Sequence, residues 1–230
     1  MNRPSRPTAL PHDVDELLRR AVGLSGHCLG DLAQWLDVAL PPRPHAAKGW
    51  IGELVETGLG APAGSRPEPD FAALGVELKT IPVRADGQPT ESTWVTRVPL
   101  VNAGHDTWRT SAVYAKLACV LWMPVQDAAT APLSERRLGS PLLWRPDADQ
   151  EARLRADWQD LMELVMVGRV DEITGRHGAC LQIRPKGRNA RQLDPGVGVD
   201  GHLTRVHPRG FYLRASFTAE ILARGFGLAR

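Results

Sequence analysis

The stretch Asp70-Phe71-Ala72-Ala73-Leu74-Gly75-Val76-Glu77-Leu78-Lys79-Thr80-Ile81-Pro82-Val83 decides how this chain is read. Alternate residues of a strand point to the same face. A strand over Val76–Pro82 therefore turns Glu77 and Lys79 to one side and Val76, Leu78 and Thr80 to the other. A carboxylate and an ammonium then stand side by side at the strand surface, with a second carboxylate, Asp70, just upstream, the layout needed to cut a phosphodiester. Carboxylates hold Mg2+, a hard cation that takes oxygen ligands. Such a metal lowers the pKa of a bound water and offsets charge on the phosphate. The lysine orients that water or stabilises the charged transition state. The pattern itself is short, and its plain alternative is a solvated ion pair on an exposed strand face, worth little to stability.

Upstream, Gly49-Trp50-Ile51-Gly52-Glu53-Leu54-Val55-Glu56-Thr57-Gly58-Leu59 reads as an amphipathic helix. Ile51, Leu54, Val55 and Leu59 fall on one face. At about 100° per residue, Glu53 lies opposite that face and Glu56 at its margin. Glu56 is thus the candidate ligand and Glu53 the surface residue. Lys48, just before this helix, is a candidate phosphate contact. The following segment, residues 58–69, is a loop by its glycine and proline content. It lacks the Gly-Lys-Ser/Thr ending of a P-loop. It brings Asp70 beside Glu77, with Glu68 left by spacing as a competitor for Asp70.

Downstream, Arg184-Pro185-Lys186 is the best candidate for reading a base sequence. Arginine pairs bidentately with the major-groove edge of guanine, and lysine contacts guanine or phosphate. Between Arg176 and Arg214 there are eight Lys/Arg against two acids, Asp194 and Asp200, although the whole chain carries only +2. A basic C-terminal region opposite an acidic centre is a duplex-binding profile, with a solvated basic surface as the plain alternative.

Several blocks of the chain closely resemble the MutH family, the strand-discrimination endonucleases of methyl-directed mismatch repair. They are residues 48–52, 64–68, 70–83, 120–125, 137–144, 181–186 and 208–213, spread over essentially its whole length. The resemblance implies the fold of type II restriction enzymes: mixed α/β, a mixed central sheet flanked by helices, in two lobes around a DNA cleft. It implies nicking of the unmethylated strand at hemimethylated GATC, stimulated by MutL, with MutS acting indirectly and the enzyme a monomer. It implies Mg2+, one ion or two, with Mn2+ able to substitute. By motif, Asp70 and Glu77 ligate the metal, Glu56 completes the acidic site, and Lys79 acts on the attacking water. Lys116, in Tyr114-Ala115-Lys116-Leu117, matches a further active-site lysine, and Tyr212 the residue used at the adenine whose methylation is tested. By spacing alone Tyr212 is equally a core aromatic; facing the methyl site instead, it leaves Phe211 to supply the core contact. The alternatives are a GATC-type restriction endonuclease, whose relatives carry a second domain, and a non-catalytic GATC-binding module.

Composition agrees. With 43% hydrophobic and 23% charged residues, the chain is an ordinary globular one able to bury a substantial core. No run of 18 apolar residues and no signal-peptide core occur, so a cytoplasmic protein without a membrane anchor is expected. Cys28, Cys119 and Cys180 form no Cys-x-x-Cys pair and are expected as buried thiols rather than a disulfide or zinc framework. The histidines show no metal-ligand spacing. The tryptophans, Trp50, Trp122 and Trp158 among them, are expected to pack.

Helices are expected over Val14–Ala21, Asp31–Ala39, Gly49–Leu59, Ala112–Leu117, Gln150–Val167 and from Thr218. Strands are expected over Val76–Pro82, Thr93–Leu100, Cys119–Val125, Leu142–Trp144, Cys180–Arg184 and Gly210–Arg214. Asp86-Gly87 lies in a turn between the first two strands, and Gly187–His202 reads as loop. Residues 1–12, rich in proline, are expected to be flexible. Residues 13–230 then form one endonuclease domain, with a catalytic lobe over about 13–125 and a DNA-reading lobe over about 126–230.

Overall fold

The computed structural model describes residues 7, 9–42, 47–61, 68–127, 131–187, 189 and 191–228, with only the backbone of 47 and 48. Among the described residues the helices are α1 (Val14–Leu24), α2 (Leu29–Leu36), α3 (Ala47–Leu59), α4 (Ala112–Leu117), α5 (Ala148–Met166) and α6 (Ala215–Gly225). The strands are β1 (Glu77–Val83), β2 (Thr93–Arg97), β3 (Val120–Gln126), β4 (Leu142–Trp144), β5 (Leu181–Pro185), β6 (Asp194–Val197), β7 (Leu203–Val206) and β8 (Arg209–Leu213). The fold is mixed α/β, with its strands in small sheets. Contacts gather into two compact units. Met1–Glu91, Cys119–Arg145 and Ile221–Arg230 make the first, and Ser92–Ala118 and Pro146–Glu220 the second. Residues 92–118 thus cluster with the C-terminal part of the chain and 126–145 with the N-terminal part, across the expected boundary near 125.

In the first unit β3 lies between β1 and β4, parallel to β1 and antiparallel to β4. A parallel pair needs a long crossover connection, and here the crossover carries the whole 92–118 segment. The central place of β3 explains its unbroken apolar run, since both faces are covered: Val120, Leu121, Trp122 and Met123 are all fully buried. Helices α1, α2 and α3 add Leu17, Ala21, Leu24, Leu29, Leu32, Leu36, Leu54, Val55 and Leu59 to the same core. Asp13 caps α1, accepting from the Glu16 N–H at 2.7 Å. Just before α1, Arg20 donates to the Ala9 carbonyl at 2.7 Å and His12 N–H to Glu16 at 2.7 Å. Residues 1–6 and 8 lie outside the described residues.

In the second unit β8 is the middle of an antiparallel sheet, with β2 and β5 at its sides. One face, carrying Val95, Leu181, Ile183, Phe211 and Leu213, is buried. Helix α5 packs on β5 and brings Leu154, Trp158, Leu161, Met162 and Val165 into the interior at helical spacing. The Asp86-Gly87 turn folds the chain back onto the end of β1, with Thr90 N–H on the Pro82 carbonyl at 3.0 Å, but β2 then pairs with β8 and not with β1. Within the expected loop Gly187–His202 lies a strand, β6, which forms a hairpin with β7 just beyond it. The hairpin's first strand, Asp194-Pro195-Gly196-Val197, combines an acid, a proline and a glycine with a single β-branched residue, too little to announce it. The Val197 N–H donates to the Leu100 carbonyl at 3.1 Å, so the strand is held by a partner distant in sequence.

Candidate active site and nucleic-acid interface

A tight connector precedes β1 in the first unit. Phe71 and Val76 bridge antiparallel, with Phe71 N–H on the Val76 carbonyl at 2.9 Å, around a single helical turn at Ala72–Leu74. Gly75 closes that turn at φ +63°, in the left-handed region that glycine enters without steric cost. Asp70 is thereby folded back against the start of β1, where its Oδ2 accepts from the Leu78 N–H at 2.9 Å. Glu77 and Lys79 lie on the same face of β1, and the Lys79 ammonium donates to the Glu77 carboxylate. The pair is not solvated: Glu77 is 2% exposed and the Lys79 side chain 11%. That burial removes the exposed-ion-pair alternative. Burying two charges is costly and by itself poor support for stability, so a requirement other than folding is the natural reason for their retention.

Glu56 is half-buried on α3, which packs against β1, while Glu53 is exposed. Glu68 is exposed as well. Among the described residues no three His, Cys, Asp or Glu side chains converge as a metal cage. The donor chemistry nonetheless suits Mg2+, which is held by one or two carboxylates and completes its shell with water and phosphate oxygens. Asp70 and Glu77 are such a pair, and no thiolate or imidazole belongs to the set. Lys116 is buried in the last turn of α4, in the second unit, on a helix capped by Ser111, whose Oγ accepts from the Tyr114 N–H at 3.1 Å. The Lys48 side chain lies outside the described residues.

The cysteines take no part in such chemistry. Burial raises the Cys119 thiol and pushes Cys180 up to about 11, so both stay neutral at physiological pH. Cys28 is free and half-buried, less enclosed than expected.

The second unit presents a face of a different character. Trp94, Tyr212 and Gln182 stand side by side across β2, β8 and β5. Two residues beyond Gln182, Arg184 shares its face, and Arg184, Pro185 and Lys186 are all exposed. Trp94 and Tyr212 meet edge to face at 5.2 Å between ring centroids. The Arg184 guanidinium carbon lies 5.7 Å from the Tyr212 centroid, and Lys186 Nζ lies 4.5 Å from that of Trp94. Tyr212 is therefore not the core aromatic of its strand; Phe211, 1% exposed on the opposite face, is. A bulge in β2 between Trp94 and Thr96 places the indole across Gly210, where any Cβ would overlap it. Cations held over aromatic faces next to a solvent-facing sheet suit a polyanion with stackable rings. Sequence reading passed over Trp94 and Gln182. The signal for both was register: each pairs with or sits beside Tyr212, which only strand pairing reveals.

The family profile described as DNA mismatch repair enzyme MutH matches residues 59–157. The DNA mismatch repair protein MutH of Escherichia coli is 49% identical over 226 residues, covering 98% of this chain and 99% of its own. That of Shewanella woodyi is 48% identical over 218 residues, covering 95% and 94%, and that of Haemophilus influenzae 46% over 213 residues, covering 93% and 96%.

Proposed function

The chain belongs to the MutH family of DNA mismatch repair enzymes, whose fold is restriction-endonuclease-like, and from that premise we propose that it nicks the unmethylated strand of hemimethylated GATC by Mg2+-dependent hydrolysis. The observation that carries the reading is Lys79 bonded to a buried Glu77, with Asp70 folded back on the same strand by the Phe71–Val76 turn. Asp70 and Glu77, with Glu56 completing the acidic set, would hold Mg2+, which would supply Lewis-acid neutralisation of the phosphate and activation of water. The Leu78 N–H holds the Asp70 carboxylate in place before substrate arrives, so its orientation costs nothing at the moment of reaction. Lys79, fixed by Glu77, presents a positive charge to the water or to the charge growing on the phosphate. Its enclosure strengthens that effect, because low-dielectric surroundings screen it less. By the family motif, Lys116 is assigned as a further active-site lysine.

Recognition is assigned to Arg184, Pro185, Lys186 and Tyr212, with Lys48 on phosphate. Arg184 and Lys186 contact base edges or backbone, and the Tyr212 ring packs where an adenine methyl would project. The activator is MutL, with MutS acting through it, on a monomeric cytoplasmic enzyme; no described helix is long and apolar enough to cross a membrane. Chelation is the direct test of the metal. EDTA should abolish nicking of a GATC plasmid and leave duplex binding in place, and added Mg2+ or Mn2+ should restore it. Undiminished nicking in EDTA would exclude the metal-dependent reading.

A further inference from the structure

Gln182 is 2% exposed, an unusual position for an amide on the polar face of a sheet, and it is not a residue the recognition reading uses. Its orientation is set by its neighbours. With the amide oxygen toward Arg184, it accepts from Arg184 Nη2 at 3.0 Å and Nε at 3.3 Å, and from the Ser92 hydroxyl at 3.1 Å. The reverse orientation would set an NH2 group against a guanidinium, donor against donor. We propose that Gln182 is a positioning residue for base recognition, clamping the Arg184 guanidinium over the Tyr212 ring so that arginine and tyrosine meet the duplex as one preformed surface. The inference rests on the assignment of Arg184 and Tyr212 to DNA reading.

The physical case is entropic. An exposed arginine is among the most rotamer-rich side chains, and ordering one at an interface costs about 0.5–1.5 kcal/mol. Two bonds from one acceptor to adjacent nitrogens fix the plane of the guanidinium as well as its place. The ring of Tyr212 supplies a floor beneath it, at 5.7 Å from the guanidinium carbon. Gln182 is itself rigid: it sits in the β5 ladder opposite Tyr212, between Leu181 and Ile183, which are buried on the other face. A guanidinium has five N–H donors, more than Gln182 engages, so clamping does not exhaust its capacity for a base. The ordering cost is met when the protein folds and is not charged against binding.

The test has two independent arms. In the free protein, the Arg184 side-chain Nε–H signal should be ordered by NMR relaxation in the wild type. It should become as mobile as a free arginine in Gln182→Leu and stay ordered in Gln182→Glu, which keeps the acceptor. On DNA, Gln182→Leu should lower the ratio of affinities for a GATC duplex over a one-base variant by about 5-fold, with an unchanged thermal midpoint. The same change in an Arg184→Ala background should add nothing. An Arg184 signal unaffected by Gln182→Leu, or losses that simply add in the double variant, would overturn the proposal. A wild type that does not distinguish GATC from its variant would instead overturn the recognition reading, and the NMR arm would still decide whether Gln182 holds Arg184.

Discussion

In the proposed mechanism Lys79 is the residue on which the chemistry turns, because β1 places its ammonium on the Glu77 carboxylate. Lys79→Ala should reduce nicking by at least about 100-fold, the usual consequence of losing one preorganised charge-stabilising donor. Duplex affinity should stay close to that of the wild type, since the recognition residues are elsewhere. Gel-shift and plasmid-nicking assays on the same preparation check this, and activity that falls only in proportion to lost binding would remove the assigned role. How this centre could be read from sequence follows from its geometry. Glu77 and Lys79 share a face because strand side chains alternate, and Asp70 is close because few residues separate it from Glu77. Burial was not legible in the same way. The pattern suits an exposed ion pair equally well, and only the packing of β1 beside β3 decides that Glu77 is enclosed. The recognition face shows the complementary case. Arg184 and Lys186 stand out by composition, whereas Gln182 and Trp94 matter only through strands distant in sequence.

The β2–β8–β5 sheet depends on two local devices that can be broken separately. Gly210 lies under the Trp94 indole. Gly210→Ala should displace the ring, destabilise the protein by about 1–3 kcal/mol as overpacked sites do, and weaken GATC binding. Urea titration and gel shift check both effects, and an unaltered near-ultraviolet tryptophan signal would contradict the displacement. Asp157, buried on α5, accepts from three consecutive N–H groups at the start of β5: Ala179 at 2.9 Å, Cys180 at 2.6 Å and Leu181 at 2.8 Å. Bonds to a charged acceptor are the strong ones. Asp157→Ala should cost about 3 kcal/mol in urea titration, and a loss below about 0.5 kcal/mol would mean water replaces the carboxylate. Elements of this kind were largely legible where periodicity is strong. The apolar stripe of α5, the amphipathic α3 and the apolar run of β3 all fall within a few residues of expectation. Ends moved where caps decide them. Helix α2 stops at Leu36 because Asp37 turns left-handed at φ 55°, and α5 starts at Ala148 because Asp147 and Gln150 form a reciprocal cap. The β6–β7 hairpin was not legible, since a strand containing proline and glycine forms only through its partners.

The full chain combines a nearly neutral charge balance with strong local asymmetry. A net charge of +2 gives little general attraction for a polyanion, so the proposed binding draws on local charge, chiefly the basic stretch between Arg176 and Arg214. One molecule holds one Asp70–Glu77–Lys79 set, and in the proposed mechanism that single centre would cut one strand per encounter. The proposed reading therefore requires a nick and not a double-strand break, directed by a methyl group that Tyr212 is proposed to sense. The most direct test is strand-resolved cleavage of a hemimethylated GATC duplex in Mg2+, beside its fully methylated twin and a duplex without the site. The account predicts cleavage confined to the unmethylated strand, enhanced by MutL and ATP, with both controls intact. Tight GATC binding without cleavage, even with MutL and ATP, would contradict it and make the protein a reader of the site and not a nuclease.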